Sequence, residues 1–278
     1  MPEPTVAEAI RDAARQLATT SDTARLDAEV LMAHALGVSR SDLLLRCMSD
    51  TAPAQFALLI QRRAAHEPVA YITGMQEFHG HAFRVSPAVL IPRADSETLV
   101  DAAIAARPDA RQVLDCGTGS GALLLAVLTA LPKAHGVGID RSAAALAVAC
   151  GNAKSLGLAA RSAFLQRDWT TAGWTAGLAG FDLVLANPPY VEADAALAPS
   201  VSAYEPAGAL FAGSDGLDDY RRLIPALPGL ILPGGVAFLE IGPAQAAAVG
   251  RLAADAGLAS RVHRDLAGRD RVVQLMRG

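Results

Sequence analysis

The spacing of apolar positions changes along the chain, and each change predicts a different kind of element. Thr5 and Glu8 stand at the Ser/Thr-x-x-Glu spacing of a capping box, and Ile10, Ala14 and Leu17 behind them share one helical face. A second helix is predicted near Ala24 to Leu36, with Leu26, Val30 and Ala33 on its apolar stripe and Gly37 as its stop. A third, near Ser41 to Cys47, is short. A fourth starts behind Pro53, carries Phe56, Leu59, Ile60 and Arg63, and is ended by Pro68. Residues 1–75 therefore read as a small N-terminal helical bundle, serving to recognise a partner substrate or as a lid. From Val69 to Arg93 the β-formers Tyr71, Ile72, Phe78, Phe83, Val85, Val89 and Ile91 are interrupted by Gly74, Gly80 and Pro87, which predicts a linking β-hairpin, placed at residues 76–95.

Residues 96–278 alternate between the two periods. Short strands are predicted at Val113–Asp115, Gly136–Ile139, Ala163–Gln166, Phe181–Ala186, Val236–Ile241, Arg261–Arg264 and Val272–Met276. Helices are predicted at Ala122–Leu131, Ser142–Leu156, Gly216–Leu227 and Gln245–Ala256. Alternation of this kind implies a mostly parallel sheet covered on both faces, and such sheets bind ligands at the carboxyl ends of their strands.

Composition narrows the classes of partner. The 278 residues are 52% apolar with a formal net charge of −4. No cluster of Lys and Arg is present, which disfavours an extended nucleic-acid partner. Cys47, Cys116 and Cys150 are odd in number and form no CxxC, so neither a disulfide framework nor a zinc site is expected. The pair His79 and His81 around Gly80 reads as a turn, and no metal is expected. The first 25 residues are charged and lack an apolar signal region, and the run Ala122–Leu128 is too short for a bilayer. These features predict a cytoplasmic chain with no membrane partner, read as a monomer.

The segment Asp115-Cys116-Gly117-Thr118-Gly119-Ser120-Gly121 follows a predicted strand and opens a helix. Its glycines permit a sharp turn and close approach of a ligand to the backbone. The spacing is G-x-G-x-G, whereas a pyrophosphate-binding turn uses G-x-G-x-x-G. Asp140 ends the next strand, where an acid can hold ribose hydroxyls, or alternatively cap the helix behind it. Asp168 and Trp169 follow the third strand and suit an adenine amino group and base face, or alternatively form a capped core tryptophan. Together these residues point to a nucleoside cofactor.

Asn187-Pro188-Pro189-Tyr190 directly follows the strand Phe181–Ala186. Two prolines fix φ and remove two donors, so carbonyl oxygens face outward. The Asn187 side-chain oxygen and the Pro188 backbone oxygen can each accept one N–H of a planar NH₂ group, and Tyr190 can pack against that group. Such a clamp has no use in hydride transfer, so the combination selects methyl transfer to a planar nitrogen over a dehydrogenase.

The chain resembles the protein-(glutamine-N5) methyltransferases that modify peptide chain release factors. The likeness spans Glu67-Pro68-Val69-Ala70-Tyr71-Ile72-Thr73-Gly74, Glu77-Phe78-His79-Gly80, Val89-Leu90-Ile91-Pro92-Arg93, the glycine turn, the Asn187 tetrapeptide, Tyr204-Glu205-Pro206, Asp215-Gly216-Leu217, Glu240-Ile241-Gly242 and Asp265 to Arg271. Cys116 stands where that family usually has leucine, and Ser96 where it usually has threonine. The resemblance implies a Rossmann-like class I S-adenosylmethionine-dependent methyltransferase sheet, with S-adenosyl-L-methionine bound by Gly117, Thr118, Gly119, Ser120, Gly121, Asp140, Trp169 and Asn187. It implies a substrate glutamine, in the Gly-Gly-Gln loop of class 1 release factors, seated on Asn187, Pro188, Pro189 and Tyr190, with Asn187, Pro188 and Tyr190 acting in catalysis. The alternatives are a glutamine methyltransferase of a ribosomal protein and an adenine-N6 nucleic-acid methyltransferase. The former usually has a different segment after Val-Pro-Arg and His-Glu-Pro in place of Tyr204-Glu205-Pro206. The acidic charge counts against the latter.

Overall fold

In the computed structural model, which describes residues 3–178 and 180–277, the chain forms two compact units. The first runs to Met75 and takes in Leu197–Tyr204 as well. Its first helix, Val6–Leu17, opens on the expected capping box: Thr5 Oγ1 accepts from the Glu8 amide at 3.3 Å and the Thr5 amide donates to Glu8 Oε2 at 2.9 Å. Val6, Ile10, Ala13 and Leu17 are buried on one face. The second helix, Ala24–Leu36, ends at Gly37 in the left-handed conformation. Its buried face keeps Ala33 of the expected stripe but not the other two. Leu26 is exposed and Val30 only half-buried, whereas Ala28, Leu31 and Met32 are buried. Asp27 is turned inward beside them because Arg63, from the helix Phe56–Ala64, meets its carboxylate at 2.7 Å. The short third element is an α-turn, Arg40–Asp42, running into a π-turn, Leu43–Cys47.

The stretch after Pro68 departs from expectation. Tyr71 and Ile72 lie in a helix, Val69–Thr73, that begins at Pro68 and stops at Gly74 with φ +73°. Pro68 has no amide hydrogen and a φ of −59°, which suits a helix start. The hairpin is confined to β1 (Met75–Phe78) and β2 (His81–Arg84), joined by His79 and Gly80, both with positive φ. Val85, Val89 and Ile91 are buried but form no strand; Pro87 and Pro92 interrupt the donors a ladder needs. His79 Nε2 lies 3.0 Å from Asp101 Oδ1.

The second unit is built on a seven-stranded sheet: β3 (Gln112–Cys116), β4 (His135–Asp140), β5 (Ser162–Gln166), β6 (Phe181–Ala186), β7 (Ile231–Glu240), β8 (Leu258–Arg264) and β9 (Asp270–Arg277). Their spatial order is β5-β4-β3-β6-β7-β9-β8, with β3 to β7 mutually parallel and β9 antiparallel to both neighbours. Successive side chains of a strand point to opposite faces, and here both faces are covered. Val113, Leu183 and Leu185 join one cluster with Leu99 and Val100 of the helix Glu97–Ala106 and with the helix Ala122–Ala130. Leu114, Val184 and Ala186 join the other with Tyr220, Leu223 and Val249. The chain order reverses direction between β3 and β6, which is where a doubly wound sheet opens a crevice. No helix among the described residues is long and apolar enough to cross a membrane.

Candidate active site

Register places the first functional residues. Cys116 pairs with Ile139 on one side and Ala186 on the other, so the next residues, Gly117, Asp140 and Asn187, leave three adjacent strands at one level. Ala186 also pairs with Leu239, which brings Glu240 to the same height.

Gly117, Gly119 and Gly121 have φ of +76°, +54° and +82°. A Cβ on Gly117 would lie 2.9 Å from Trp169 Cη2, so only glycine lets the indole close over the turn. Most of the turn's amides are already engaged. Gly117 and Thr118 both donate to Ile139 O at 2.9 Å, Gly119 donates to Asp140 Oδ2 at 3.0 Å, and Gly121 donates to Thr118 O at 2.7 Å. A diphosphate needs a cluster of free amides, and this turn holds most of its own for the fold. Asn152, buried in the helix Ala143–Ser155, donates to Ser120 O at 2.8 Å and braces the turn from behind.

Asp140 is not the cap of the following helix. Ser142 caps it, accepting from the Ala145 amide at 3.2 Å, and Asp140 Oδ1 accepts from the Ser142 amide at 2.8 Å. Each Asp140 oxygen thus receives one protein donor, and a carboxylate oxygen offers about two acceptor sites. The remaining capacity suits a pair of hydroxyls. Trp169 is half-buried, and its indole N–H donates to Asp219 Oδ1 at 2.7 Å. The Thr170 amide and hydroxyl hold Asp168 below the usual carboxylate range. Asp115, buried beneath the turn, is pushed up to about 7 by burial against the lowering effect of the Thr118 hydroxyl, which donates to it at 2.7 Å.

A cavity of about 280 Å³ joins Gly117, Thr118, Gly119, Ser120, Asp140, Trp169, Asn187 and Pro189. Gly121, Pro188 and Tyr190 do not line it; Gly121 is the N-cap of the helix beyond. Three acids on its wall, Asp140, Asp168 and Asp219, outnumber Arg141 and Arg167, which favours a ligand with positive charge. Free hydroxyl acceptors, an indole face and few free amides fit S-adenosylmethionine better than a dinucleotide.

At the tetrapeptide, Asn187 Nδ2 donates to Ser96 Oγ at 3.5 Å and the Tyr190 hydroxyl to Glu240 Oε1 at 3.3 Å. Burial, then the Glu240 charge, pushes the Tyr190 phenol up to about 12, so it keeps its proton. The Tyr190 carbonyl accepts from Gln245 Nε2 at 3.0 Å, which fixes the far end of the turn. Arg93 pairs with Glu205, which also accepts from the Ile91 amide, and Glu97 accepts from the His79 amide at 2.9 Å. Both hold the segment leading into the site. Sequence reasoning missed Asp219, Asn152 and the cavity-lining Ser96. Asp219 sits in the first turn of the helix Asp218–Leu223, where an acid is ordinary.

Residues 8–74 match the family described as PrmC N-terminal domain, and residues 108–210 match a methyltransferase domain. The release factor glutamine methyltransferase of Cereibacter sphaeroides is 44% identical over 274 residues, covering 96% of both chains. That of Moorella thermoacetica is 44% identical over 278 residues, again covering 96% of each. Among solved structures, the hMettl16 catalytic domain, in complex with a MAT2A 3'UTR hairpin, aligns with a TM-score of 0.56 over 77% of this chain and 81% of that one, at 13% identity. That likeness is one of fold.

Proposed function

This chain belongs to the release factor glutamine methyltransferases and is an S-adenosylmethionine-dependent enzyme, and from that premise we propose that it methylates the side-chain N5 of the glutamine in the Gly-Gly-Gln motif of class 1 peptide chain release factors. The observation that carries this reading is likeness to release factor glutamine methyltransferases over nearly the whole length of the chain.

The bound cofactor supplies an electrophilic methyl group on a sulfonium. The residues of the chain do the rest. Asp140 would hold ribose hydroxyls with its spare acceptor sites, and Trp169, steadied by Asp219, would cover the base. Gly117 to Gly121 form the turn against which the nucleoside would lie. An amide nitrogen is a poor nucleophile because its lone pair is delocalised into the carbonyl. Asn187 Oδ1 and the Pro188 carbonyl accept its two N–H groups and fix its plane, Pro189 keeps the turn rigid, and Tyr190 packs beside it. Orientation of this kind is worth on the order of 7–11 kcal/mol of a barrier. The nitrogen sheds one of its two protons as the new N–C bond forms, and the same two oxygens stabilise the positive charge that develops there meanwhile.

The three free cysteines fit the reducing conditions of the cytoplasm. The test is mass spectrometry of the tryptic Gly-Gly-Gln peptide after incubation of a release factor with the enzyme and labelled cofactor. One added methyl on the glutamine is expected. Label on a ribosomal protein or nucleic acid, with none on the release factor, overturns the reading.

A further inference from the structure

Glu240 ends β7 with 1% of its surface exposed, and the tetrapeptide chemistry leaves it without a task. Its Oε2 accepts from the hydroxyl of Ser96, itself buried, and its Oε1 accepts from the Tyr190 hydroxyl at 3.3 Å. Ser96 Oγ in turn faces Asn187 Nδ2 at 3.5 Å. One carboxylate therefore meets both ends of Asn187-Pro188-Pro189-Tyr190: the tyrosine directly and the asparagine through a serine.

We propose that Glu240 is a positioning residue for methyl transfer, acting through Ser96 to turn the Asn187 carbonyl oxygen toward the substrate amide. The proposal rests on the glutamine-methylation reading above. Its logic is donor counting. An ionised carboxylate only accepts, and a serine hydroxyl has one hydrogen. That hydrogen goes to Glu240, so Ser96 has only lone pairs to offer Asn187. The carboxamide must then present its NH₂ to Ser96 and leave Oδ1 free to accept. If residue 240 could donate, Ser96 could give its hydrogen to Oδ1 instead. The amide would then turn over and confront the substrate NH₂ with another NH₂, donor against donor.

Burial works against the ionised form that this logic needs, and neighbouring groups partly offset it. Arg271, 5% exposed and held by Asp95 at 2.9 Å, is the cation beside Glu240. The Tyr220 hydroxyl donates to the Glu240 backbone carbonyl at 2.7 Å and so does not compete for the carboxylate. Burial raises the Glu240 carboxyl, and Asp95 adds to that. The Ser96 hydroxyl, Arg271 and the Tyr190 hydroxyl lower it. Acidification through its raised pKa converts Glu240 into a donor and removes the imposed sense of the chain.

The experiment compares kcat, substrate KM and cofactor Kd for wild type, Ser96→Ala, Ser96→Thr and Glu240→Gln on a release factor carrying Gly-Gly-Gln. Ser96→Ala and Glu240→Gln are expected to lower kcat about 10- to 100-fold, the scale of a small misplacement of a catalytic group, with cofactor Kd unchanged. Ser96→Thr, which keeps the hydroxyl, restores kcat. The acid limb of the wild-type kcat profile is lost in Glu240→Gln. Wild-type kcat in Ser96→Ala, no recovery in Ser96→Thr, or an unaltered acid limb in Glu240→Gln overturns the proposal; the serine pair decides alone if Glu240→Gln does not fold. Absence of wild-type turnover on the release factor is a different failure, that of the substrate assignment, and removes the proposal with it.

Discussion

Replacing Gly117 with alanine probes the cofactor turn with the least chemical change. Two effects follow. Gly117 has φ +76°, a left-handed conformation that costs an L-residue about 1–2 kcal/mol. The new methyl would also lie 2.9 Å from Trp169 Cη2 and 3.3 Å from Cζ3. The indole cannot simply swing away, because its N–H is held by Asp219 at 2.7 Å. Gly157→Ala separates the two effects: φ there is +71°, with nothing within 4 Å of a built Cβ. Both variants should lose about 1–2 kcal/mol of stability from backbone strain, read by urea unfolding. Only Gly117→Ala should weaken cofactor binding. Stacking of a base on an aromatic ring is worth about 1–3 kcal/mol, so displacing the indole should raise the calorimetric Kd roughly five-fold or more. An unchanged Kd in Gly117→Ala, or an equal rise in Gly157→Ala, refutes the idea that glycine is needed there for the closeness of Trp169.

The other site residues make distinct predictions. Asn187→Ala should leave cofactor Kd nearly unchanged in calorimetry while release factor methylation falls by orders of magnitude; near-wild-type turnover would defeat the clamp mechanism. Asp140→Ala removes charge-assisted bonds to the Gly119 and Ser142 amides as well as the ribose acceptors, each worth about 1.5–3 kcal/mol, so Kd should rise and the melting temperature should fall together. Asp115 has its carboxyl raised from 3.8 to about 7 by burial, so the folded state binds its proton more tightly than the unfolded chain does. That contribution to stability is fully present below the unfolded pKa and is lost as pH rises through about 7. Urea unfolding at pH 5 and pH 8.5 should therefore show a decline in the wild type that Asp115→Asn lacks; equal declines would assign the pH dependence to other groups.

Much of this architecture was legible locally, where one residue decides the backbone. The capping box at Thr5 and Glu8 appeared as expected because its two hydrogen bonds join residues three apart. The glycine turn and the proline pair were visible for the same reason, since φ is set by the residue itself. Failures came where the partner was distant. The second helix turns a different face inward from its apolar stripe because Asp27 is buried by Arg63, 36 positions away. The propensity of Tyr71 and Ile72 favours a strand, yet Pro68 and Gly74 bound a single helical turn that propensity does not override. The membership of Leu197–Tyr204 in the helical unit, where the Tyr204 hydroxyl reaches the Ala65 carbonyl at 2.7 Å, has no periodic trace at all.

The active site shows the same limit at its sharpest. A strand ending in Asn-Pro-Pro-Tyr announces acceptors, but not which way the asparagine amide is turned. That sense depends on Ser96, 91 residues before it, and through Ser96 on Glu240, 144 residues beyond the serine. Each of the three is unremarkable in its own segment: a serine entering a helix, an asparagine after a strand, a glutamate at a strand end. Only the register of β6 against β7, which sets Ala186 beside Leu239, brings the next residues of both strands to one height and makes the carboxylate available to the serine. Shifting β7 by one residue would turn Glu240 to the opposite face of the sheet, because side chains alternate with a period of two. The orientation of the clamp is therefore a property of strand pairing, and the short motif acquires its chemistry only inside that sheet.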